Sequence, residues 1–548
     1  TLSDLHWNVA SIKDAYNACL SITVLPTVVQ QVTGIAPVWV FKTVFQVIFA
    51  FVPVLVYLIG RRYTTRFIAM LATIYFMAFP TYFTDMPMLN RQEIAFFFLG
   101  LMFLAMFNRG WSLRRQRWLV AILGIGVVLS HYSTTYTMLA LIIMVLGLRY
   151  GLQALAWVAS FNRRLQFASI MRWRRPEPSA VTKRLVVVLL AASYIWSVQL
   201  TNTGGNILKV AESTIQSIQT GLAGDTKSSD TSYSFFGGAK LTDQQRLDEY
   251  VKETSTHQKS TIAGSLYPPH TYAGYHPLVD DEPNLPLTSI GKFLKSLHFP
   301  VAQFNTAMRQ GSALALQLLL GVGILVIFVR RTFSVRYGYD YRLFQVASVI
   351  MVAAIVLLPV LSGQYGLLRA FQQTLIIGGV PIALASLLII PKRWPRLRNA
   401  FGVACAVGFL LSSTGVITTT LGGYPPQLHL ANSGKYYDLY YPHTTEEQGI
   451  DWLHSAMLSN PDAAITGATT DRYPANLLRQ FSDIEFENDI FPSVLPRDAY
   501  VFLGHAATAE DRATLYTNGD SLIYQYPTSF LDNNKDLIYA SSGSRVYR

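Results

Sequence analysis

The stretch at residues 39–63, "WVFKTVFQVIFAFVPVLVYLIGRRY", decides the fold class of this chain. Lys42 is its only charged residue before Arg61 and Arg62. A helix of about 20 mainly apolar residues is long enough to cross the hydrocarbon core of a bilayer. Arginines that directly follow such a helix are typical of its cytoplasmic end. The stretch therefore predicts a membrane span that ends in the cytoplasm.

Similar apolar stretches recur along the whole chain. Of its 548 residues, 51% are hydrophobic and only 14% are charged, whereas about a quarter of the residues of a soluble domain are charged. The run at 118–149 is interpreted as two helices that break at His131–Tyr136, and one long bent helix is the alternative. We predict a mainly α-helical, polytopic membrane protein with about ten spans, at 37–60, 67–84, 92–107, 118–130, 132–149, 185–203, 311–329, 343–362, 371–391 and 400–421.

The formal charge of +12 could suggest binding to nucleic acid, but the positions of the basic residues indicate a membrane topology. Every second connection between spans is rich in arginine and lysine, as cytoplasmic loops are. These basic connections are 61–66, 109–117, 149–184, 330–342 and 392–398. We therefore predict a plasma-membrane protein surrounded by lipid, with no nucleic-acid partner and with segments 1–36, 85–91, 131–136, 204–310, 363–370 and 422–548 outside.

This topology predicts five regions. They are an outer N-terminal segment at 1–36, a first transmembrane bundle at 37–203, a large outer loop at 204–310, a second bundle at 311–421 and an extracytoplasmic α/β domain at 422–548. Thr1 would lie outside with no preceding span or signal peptide. We therefore expect an N-terminal helix upstream, eleven spans in the intact protein, or a partner chain that supplies the missing helix.

The outer segments contain their own folded elements. The loop 204–310 is broken by Gly, Ser, Asp and Pro and includes the helical pattern "LTDQQRLDEYVKET". We expect it to be a functional loop such as a lid, and a flexible connection is the alternative. The sequence of the tail, 422–548, predicts four elements. They are a helix with a threonine cap at "TTEEQGIDWLHSAM", strands at "AAITGA" and "AYVFLGH", and a closing hairpin at "DLIYASSGSRVYR". His443, Glu446 and Asp471 could form a site there, or could be exposed polar residues with no such role.

Polar residues gather where the predicted spans meet the outer face. Ionisable groups at membrane depth cost several kcal/mol unless they are paired or hydrated, so they are candidates for function. An ion pair of Arg91 with Glu93 that only orients a hairpin, and a packing hydrogen bond of His131, are the structural alternatives. The candidates, which could line one cavity, are Asp4, His6, Asp85, Arg91, Gln92, Glu93, His131, Tyr132, Arg369, Gln372 and Gln373. No nucleotide-binding or zinc-binding motif of a soluble enzyme is present.

Several stretches resemble a family of uncharacterised prokaryotic multi-pass membrane proteins. They are "YNACLSITVLPTVV", "WVFKTVFQVIFAFVPVLVYLIGRRY", "YFTDMPMLNRQEIAFFFLGLMFL", "LSHYSTTYTML" and "LIYASSGSRVYR". The layout of that family is similar to the GT-C glycosyltransferases, which take a sugar from a polyprenyl-phosphate donor at the outer membrane face. This resemblance implies transfer to a glycan, lipid or protein acceptor in cell-envelope glycan synthesis.

The same resemblance implies roles for the candidate residues. Asp4 and His6 lie in the first outer loop, where the GT-C class has its catalytic base, although that base could also lie upstream of Thr1. Arg91 and Arg369 would hold the lipid phosphate, because the planar guanidinium group binds phosphate with two parallel hydrogen bonds. Asp85 and Glu93 would orient the substrate or act as an alternative base, with Gln92, His131, Tyr132 and Gln372 in contact with the substrate. GT-C enzymes differ in their use of a divalent metal, and the sequence leaves this open.

Two other functions remain as alternatives at this point. A transporter or flippase for a lipid-linked or polar substrate would usually contain internal repeats, and 37–150 shows no convincing similarity to 311–421. A non-catalytic membrane scaffold, whose tail binds a partner or a glycan, is the second alternative. Convergence of the outer polar residues on one space would favour the enzyme.

Overall fold

The computed structural model describes residues 7, 15–161, 178–203, 242–258, 266–280, 286–329, 337–357, 366–423, 435–459, 467–478, 481, 486–517 and 520–548. These residues are mainly helical, with a small sheet region near the C-terminus. Contacts divide them into two units. The first, called the bundle here, contains 7–203 and 286–423, and the second, called the C-terminal unit, contains 242–280 and 435–548.

The first half of the bundle is a series of helices, of which the first seven are joined by short turns. Its longest helix follows directly after His131, where the sequence predicted a break. The helices are α1 (Val24–Thr33), α2 (Pro37–Arg61), α3 (Arg66–Met77), α4 (Pro80–Phe83), α5 (Asn90–Met106), α6 (Leu113–Ser130), α7 (Tyr132–Phe161) and α8 (Lys183–Leu200).

Two helices of the C-terminal unit come next in the chain, and the bundle then continues. The first of them coincides with the helix predicted within the outer loop. The helices are α9 (Asp243–Gln258) and α10 (Pro269–Tyr272) in the C-terminal unit, and α11 (Ser289–Ser296), α12 (Val301–Val329), α13 (Tyr339–Leu357), α14 (Leu367–Leu388), α15 (Pro395–Ser413) and α16 (Val416–Leu421) in the bundle.

Within the described residues, six helices are long and apolar enough to cross a membrane. Two further helical segments, Arg66–Met77 and Pro80–Met88, pass this test together but are bent by 70°. Apolar helices of this length indicate a membrane protein, whereas the count of ten spans and the topology stay predictions. The six helices are Pro37–Arg61, Tyr132–Val158, Lys183–Leu200, Val301–Phe328, Tyr339–Val356 and Leu367–Leu388.

Helix α14 lies in the centre of the bundle and contains a proline, Pro381. Proline has no backbone N–H, so the carbonyl four residues earlier, at Ile377, loses its helical hydrogen bond. That carbonyl accepts hydrogen bonds from the Tyr341 hydroxyl at 2.9 Å and from Nε2 of Gln345 at 2.7 Å. Both donors belong to α13. Since an unpaired carbonyl is costly inside an apolar bundle, these two side chains allow the proline in a buried helix.

Small residues let the bundle helices approach closely. A Cβ atom added at Gly323 of α12 would lie 2.0 Å from the carbonyl oxygen of Pro381, and one at Gly379 would lie 2.7 Å from the oxygen of Ala72. Close approach of this kind is the usual way in which membrane helices pack, because no hydrophobic effect drives their association in lipid. The two glycines thus set the distances of α14 from α12 and α3.

The C-terminal unit contains a five-stranded mixed sheet in the order β2-β1-β3-β7-β6 and a separate hairpin of β4 and β5. The β1 strand pairs in parallel with β2 and β3, while β7 is antiparallel to β3 and β6. The strands are β1 (Ala468–Thr470), β2 (Phe486–Glu487), β3 (Tyr500–Leu503), β4 (Arg512–Thr517), β5 (Asp520–Gln525), β6 (Leu537–Ala540) and β7 (Arg545–Tyr547), and the helices are α17 (Lys435–Tyr440), α18 (Thr444–Ser459), α19 (Ala475–Leu478), α20 (His505–Ala509) and α21 (Thr528–Asn534).

Most elements predicted for the tail are present in the C-terminal unit. The predicted helix corresponds to α18, the strand "AYVFLGH" to β3, and the closing hairpin to β6 and β7. The predicted strand "AAITGA" falls mostly outside the described residues. Residues 278–280, which the sequence placed in the outer loop, extend the β4–β5 hairpin: the N–H of Gln525 donates to the Leu278 carbonyl at 2.9 Å, and that of Asp280 donates to Ile523 at 3.0 Å.

Candidate functional site

The break between α6 and α7 is built around His131. This residue has an extended backbone conformation, with φ −157° and ψ 119°, so the helix stops at Ser130 and restarts at Tyr132. The His131 ring is only 4% exposed, and its Nδ1 lies 2.7 Å from Oγ1 of Thr134 in the first turn of α7. This hydrogen bond is local to the start of α7 and fixes the ring at the break. It is not the bond between packed helices that was considered from the sequence.

The N-terminal segment 15–23 packs beside this break. The N–H of Leu20 donates to the Leu129 carbonyl at 2.9 Å, and the Ser21 hydroxyl donates to the Ser130 carbonyl at 2.7 Å. Trp196 of α8 adds a hydrogen bond from its indole N–H to the Ala18 carbonyl at 3.2 Å. Three separate parts of the chain thus hold the residues around His131.

The guanidinium groups of Arg91 and Arg369 both interact electrostatically with the His131 ring. Arg91 lies in the first turn of α5, and Arg369 lies in the first turn of α14. Neither forms an ion pair with a carboxylate anywhere in the described ranges. The two arginines that the sequence singled out thus both lie within electrostatic range of His131.

Arg91 stacks on aromatic rings. Its Cζ atom lies 3.7 Å from the ring centroid of Tyr16 and 6.0 Å from that of Tyr132. Its Nε is buried and has no hydrogen-bond partner among the described residues. The predicted alternative, an Arg91–Glu93 ion pair that orients the hairpin, is not formed. Tyr16 was missed, because a lone tyrosine in the N-terminal segment carries no recognisable signal.

Glu93 is fully buried and points toward α2. Its Oε2 accepts a hydrogen bond from Nε2 of Gln46 at 3.2 Å, and it interacts electrostatically with Tyr82. A polar residue such as Gln46 within an apolar span is a signal of function or of a buried partner, so the sequence could have identified it. Asp85 accepts a hydrogen bond from the Thr84 hydroxyl at 3.0 Å. Among the described residues, no hydrogen bond or ion pair joins Asp85 to His131.

The predicted glutamines differ in their contacts. Nε2 of Gln372 donates to the Phe76 carbonyl at 3.1 Å, and Oε1 of Gln373 accepts from the Thr137 hydroxyl at 2.7 Å. Both therefore connect α14 to its neighbours. The amide oxygen and nitrogen of Gln92 are buried and have no hydrogen-bond partner in the part of the chain that the structure describes. Asp4 and His6 lie outside the described residues.

The candidates in the C-terminal unit are less exposed than the sequence suggested. Glu446 is 4% exposed and Asp471 is 2% exposed. Helix α18 begins at Thr444, so its capping position falls on His443 and not on a threonine. Asp471 does not join the other two, because its carboxylate accepts hydrogen bonds from the N–H of Arg472 at 2.7 Å and from the N–H of Thr514 at 3.1 Å. Asp471 thus connects the end of β1 to β4.

Burial of Asp471 predicts a pH dependence of stability in this unit. Desolvation raises its pKa from 3.8 to about 7, although hydrogen bonds from Thr514 and Arg472 act in the opposite direction. Since the folded state binds this proton more tightly than the unfolded state, the stability that Asp471 contributes is complete below pH 4, falls as the pH rises toward 7 and changes no further above. We expect a loss on the order of 4 kcal/mol over this interval.

Hydrogen exchange of the β3 and β4 amides in the full-length protein, corrected for the intrinsic rate at each pH, measures this loss. Asp471→Asn keeps an acceptor oxygen but cannot ionise, so most of the pH dependence should vanish. The buried carboxyl groups of Asp489 and Glu446, whose pKa values burial also raises, contribute to the remainder. Identical profiles for the variant and the wild type would contradict the prediction.

No protein-family model matches this chain, and no curated protein sequence matches it significantly.

Proposed function

We propose that this protein is an integral-membrane glycosyltransferase of the GT-C type, which takes a sugar from a polyprenyl-phosphate donor at the outer membrane face. The observation that carries the proposal is that Arg91 and Arg369, each in the first turn of its helix, both interact electrostatically with His131. Two guanidinium groups without a carboxylate partner among the described residues form a site for an anion. A lipid phosphate is an anion that occurs at a membrane face.

Glycosyl transfer from such a donor requires two kinds of group. The hydroxyl oxygen of the acceptor attacks the anomeric carbon, the bond from that carbon to the phosphate oxygen breaks, and polyprenyl phosphate leaves with the electron pair. Cations that stabilise the leaving phosphate lower the barrier. A carboxylate takes the proton of the acceptor hydroxyl.

Arg91 and Arg369 would bind the phosphate in this mechanism, and the Gln92 amide would supply a hydrogen bond. Tyr132 lies beside Arg91 and suits contact with the sugar or the lipid. Glu93 lies on the same helix as Arg91 and is buried next to Gln46 of α2. It is the carboxylate nearest in sequence to the proposed phosphate site. Asp4 and His6 remain further candidates for the base, and the sugar and acceptor remain to be found.

The direct test is turnover of donor by the purified full-length protein in detergent. Polyprenyl-phosphate sugars with a tritium label in the sugar are incubated with the protein and with a cell-envelope extract that supplies acceptors. We expect label to move to the extract and polyprenyl phosphate to be released. Release by no donor tested would contradict the proposal, and movement of intact donor across vesicles without release would indicate a flippase.

Arg369→Ala should reduce this release about 100-fold, because a charged hydrogen bond to phosphate contributes about 1.5–3 kcal/mol and more in a site shielded from water. The matched control is Arg396→Ala. Arg396 is exposed in the first turn of α15, so its removal should leave both release and thermal stability unchanged. Equal release by the two variants would remove Arg369 from the site.

A further inference from the structure

We infer that the C-terminal unit binds a divalent transition metal, with Zn²⁺ as the best fit, through Asp438, His443 and His505. This inference is independent of the proposed glycosyl transfer, since it concerns only residues of the C-terminal unit. One ligand atom from each of the three side chains lies within 4.8 Å of the other two. Two of the three residues were not singled out by the sequence.

The spacing of the ligand atoms suits a zinc ion. Nε2 of His443 lies 3.4 Å from Oδ1 of Asp438. Zinc binds nitrogen and oxygen at about 2.0–2.2 Å, so two ligand atoms of a tetrahedral site are about 3.3 Å apart. Nε2 of His443 is buried and has no hydrogen-bond partner in the described chain. A protonated His443 would form an ion pair with Asp438 at this distance, whereas a neutral imidazole leaves the Nε2 lone pair free for a cation that Asp438 also binds.

The two histidines approach each other from different elements. His443 precedes α18, His505 is the first residue of α20, and their ring centroids are 4.0 Å apart with an angle of 21° between the planes. Asp438 lies in the short helix α17. The in-plane lone pairs of two stacked rings do not converge on one point, so binding would require one imidazole to turn. The bound metal would then join three helices of the C-terminal unit.

A single buried carboxylate positions both histidines. Oε2 of Glu446 accepts the backbone N–H of His443 at 2.7 Å, and Oε1 accepts the backbone N–H of His505 at 2.7 Å. Groups that orient the ligands in this way are a regular part of metal sites. Glu446 is thus a positioning residue, and it does not itself touch the proposed ion.

Glycines leave room for this arrangement. A Cβ atom at Gly504 would lie 2.4 Å from Oε1 of Glu446, and one at Gly543 would lie 2.9 Å from Nδ1 of His505. Any larger residue at either position would push the carboxylate or the imidazole out of place. The backbone thus lies against Glu446 at Gly504 and against His505 at Gly543.

The ligand types favour zinc over the hard cations. Imidazole nitrogen suits Zn²⁺, Cu²⁺, Fe²⁺ and Ni²⁺, whereas Mg²⁺ and Ca²⁺ prefer sites made of oxygen alone. Two histidines and one carboxylate leave a fourth tetrahedral position, as in zinc sites that also hold water or a substrate. The site is thus of the type that can exchange a ligand.

The test uses the full-length protein in detergent, stripped with a chelator, given a limiting amount of ZnCl₂ and then separated from free metal. Elemental analysis should find about one zinc per chain in the wild type. His443→Ala, His505→Ala and Asp438→Asn should each retain less than a tenth of that amount. Glu446→Gln should weaken binding about 10–100-fold, and His454→Ala, on the same helix as Glu446 but stacked on Phe481, should bind as the wild type does.

Co²⁺ in place of Zn²⁺ gives a second measurement, because its visible absorption reports the coordination of the metal. A spectrum of tetrahedral Co²⁺ in the wild type and its loss in Asp438→Asn would support the site. Asp438→Asn preserves shape, and unchanged hydrogen exchange in α18 verifies that the variant is folded. Equal zinc content in the wild type and in a His443→Ala, His505→Ala double variant would overturn the inference.

Discussion

A Gly323→Ala variant is expected to lose the packing of α12 against α14 and to unfold in detergent at a clearly lower temperature than the wild type. The added Cβ would lie 2.0 Å from the carbonyl oxygen of Pro381. The clash is with backbone, so no change of rotamer relieves it and the two helices must separate. We expect a loss of about 3 kcal/mol, at the upper end of the cost of overpacking.

The same substitution also has a favourable effect on helix stability, and a control variant measures that effect alone. Alanine is better than glycine in a helix by about 1 kcal/mol, which is smaller than the cost of the clash. Gly321 lies on the same helix, and a Cβ atom added there would meet nothing within 4 Å. Gly321→Ala should therefore be neutral or slightly stabilising. Gel-filtration recovery after heating measures both variants, and equal recovery would contradict the packing described for Gly323.

An Arg91→Ala variant is expected to turn over the proposed donor about 100-fold more slowly than the wild type while keeping its fold. The Cζ atom of Arg91 lies 3.7 Å from the ring centroid of Tyr16, and this contact orients the guanidinium group that would bind the donor phosphate in the proposed mechanism. A charged hydrogen bond to the leaving phosphate contributes more in the transition state than in the ground state, so kcat should fall more than KM rises.

The Arg91→Lys variant distinguishes the effect of positive charge from that of the planar guanidinium group. Lysine keeps the positive charge but cannot bind phosphate with two parallel hydrogen bonds or stack in the same way, so we expect it to restore only a small part of the turnover. Arg115→Ala is the matched control, since Arg115 also stacks on an aromatic residue, Trp111, at 4.3 Å and lies in the first turn of a helix. If Arg115→Ala and Arg91→Ala have equal turnover, Arg91 does not bind the donor.

The sequence predicts those parts of the fold that depend on local patterns. Apolar length identified α2, α8 and α14, and the polar run after Ser130 located the break at His131. The ends of α6 and α15 are harder to locate from the sequence. Both helices begin with arginines in their first turns, so part of each helix looks like a basic connection.

The parts that could not be predicted depend on contacts between distant residues. Nothing in the local sequence says that the strand formed by 520–525 pairs with residues near 279, so the loop and the tail were treated as separate segments. Asp438 and His505 were missed for the same reason, since neither belongs to a motif with His443. The proximity of Arg91 to Arg369 was predicted through a topological argument and stays a prediction, and the electrostatic interaction of both residues with His131 is compatible with it.

The proline of α14 has a mechanical consequence. The Ile377 carbonyl accepts both the Tyr341 hydroxyl and the Gln345 amide, so α13 and α14 have a fixed register. A slide by one helical turn, about 5.4 Å, would separate both donors from a buried acceptor. A slide of α13 along α14 is therefore disfavoured, because it would cost both hydrogen bonds and leave the Ile377 carbonyl unpaired.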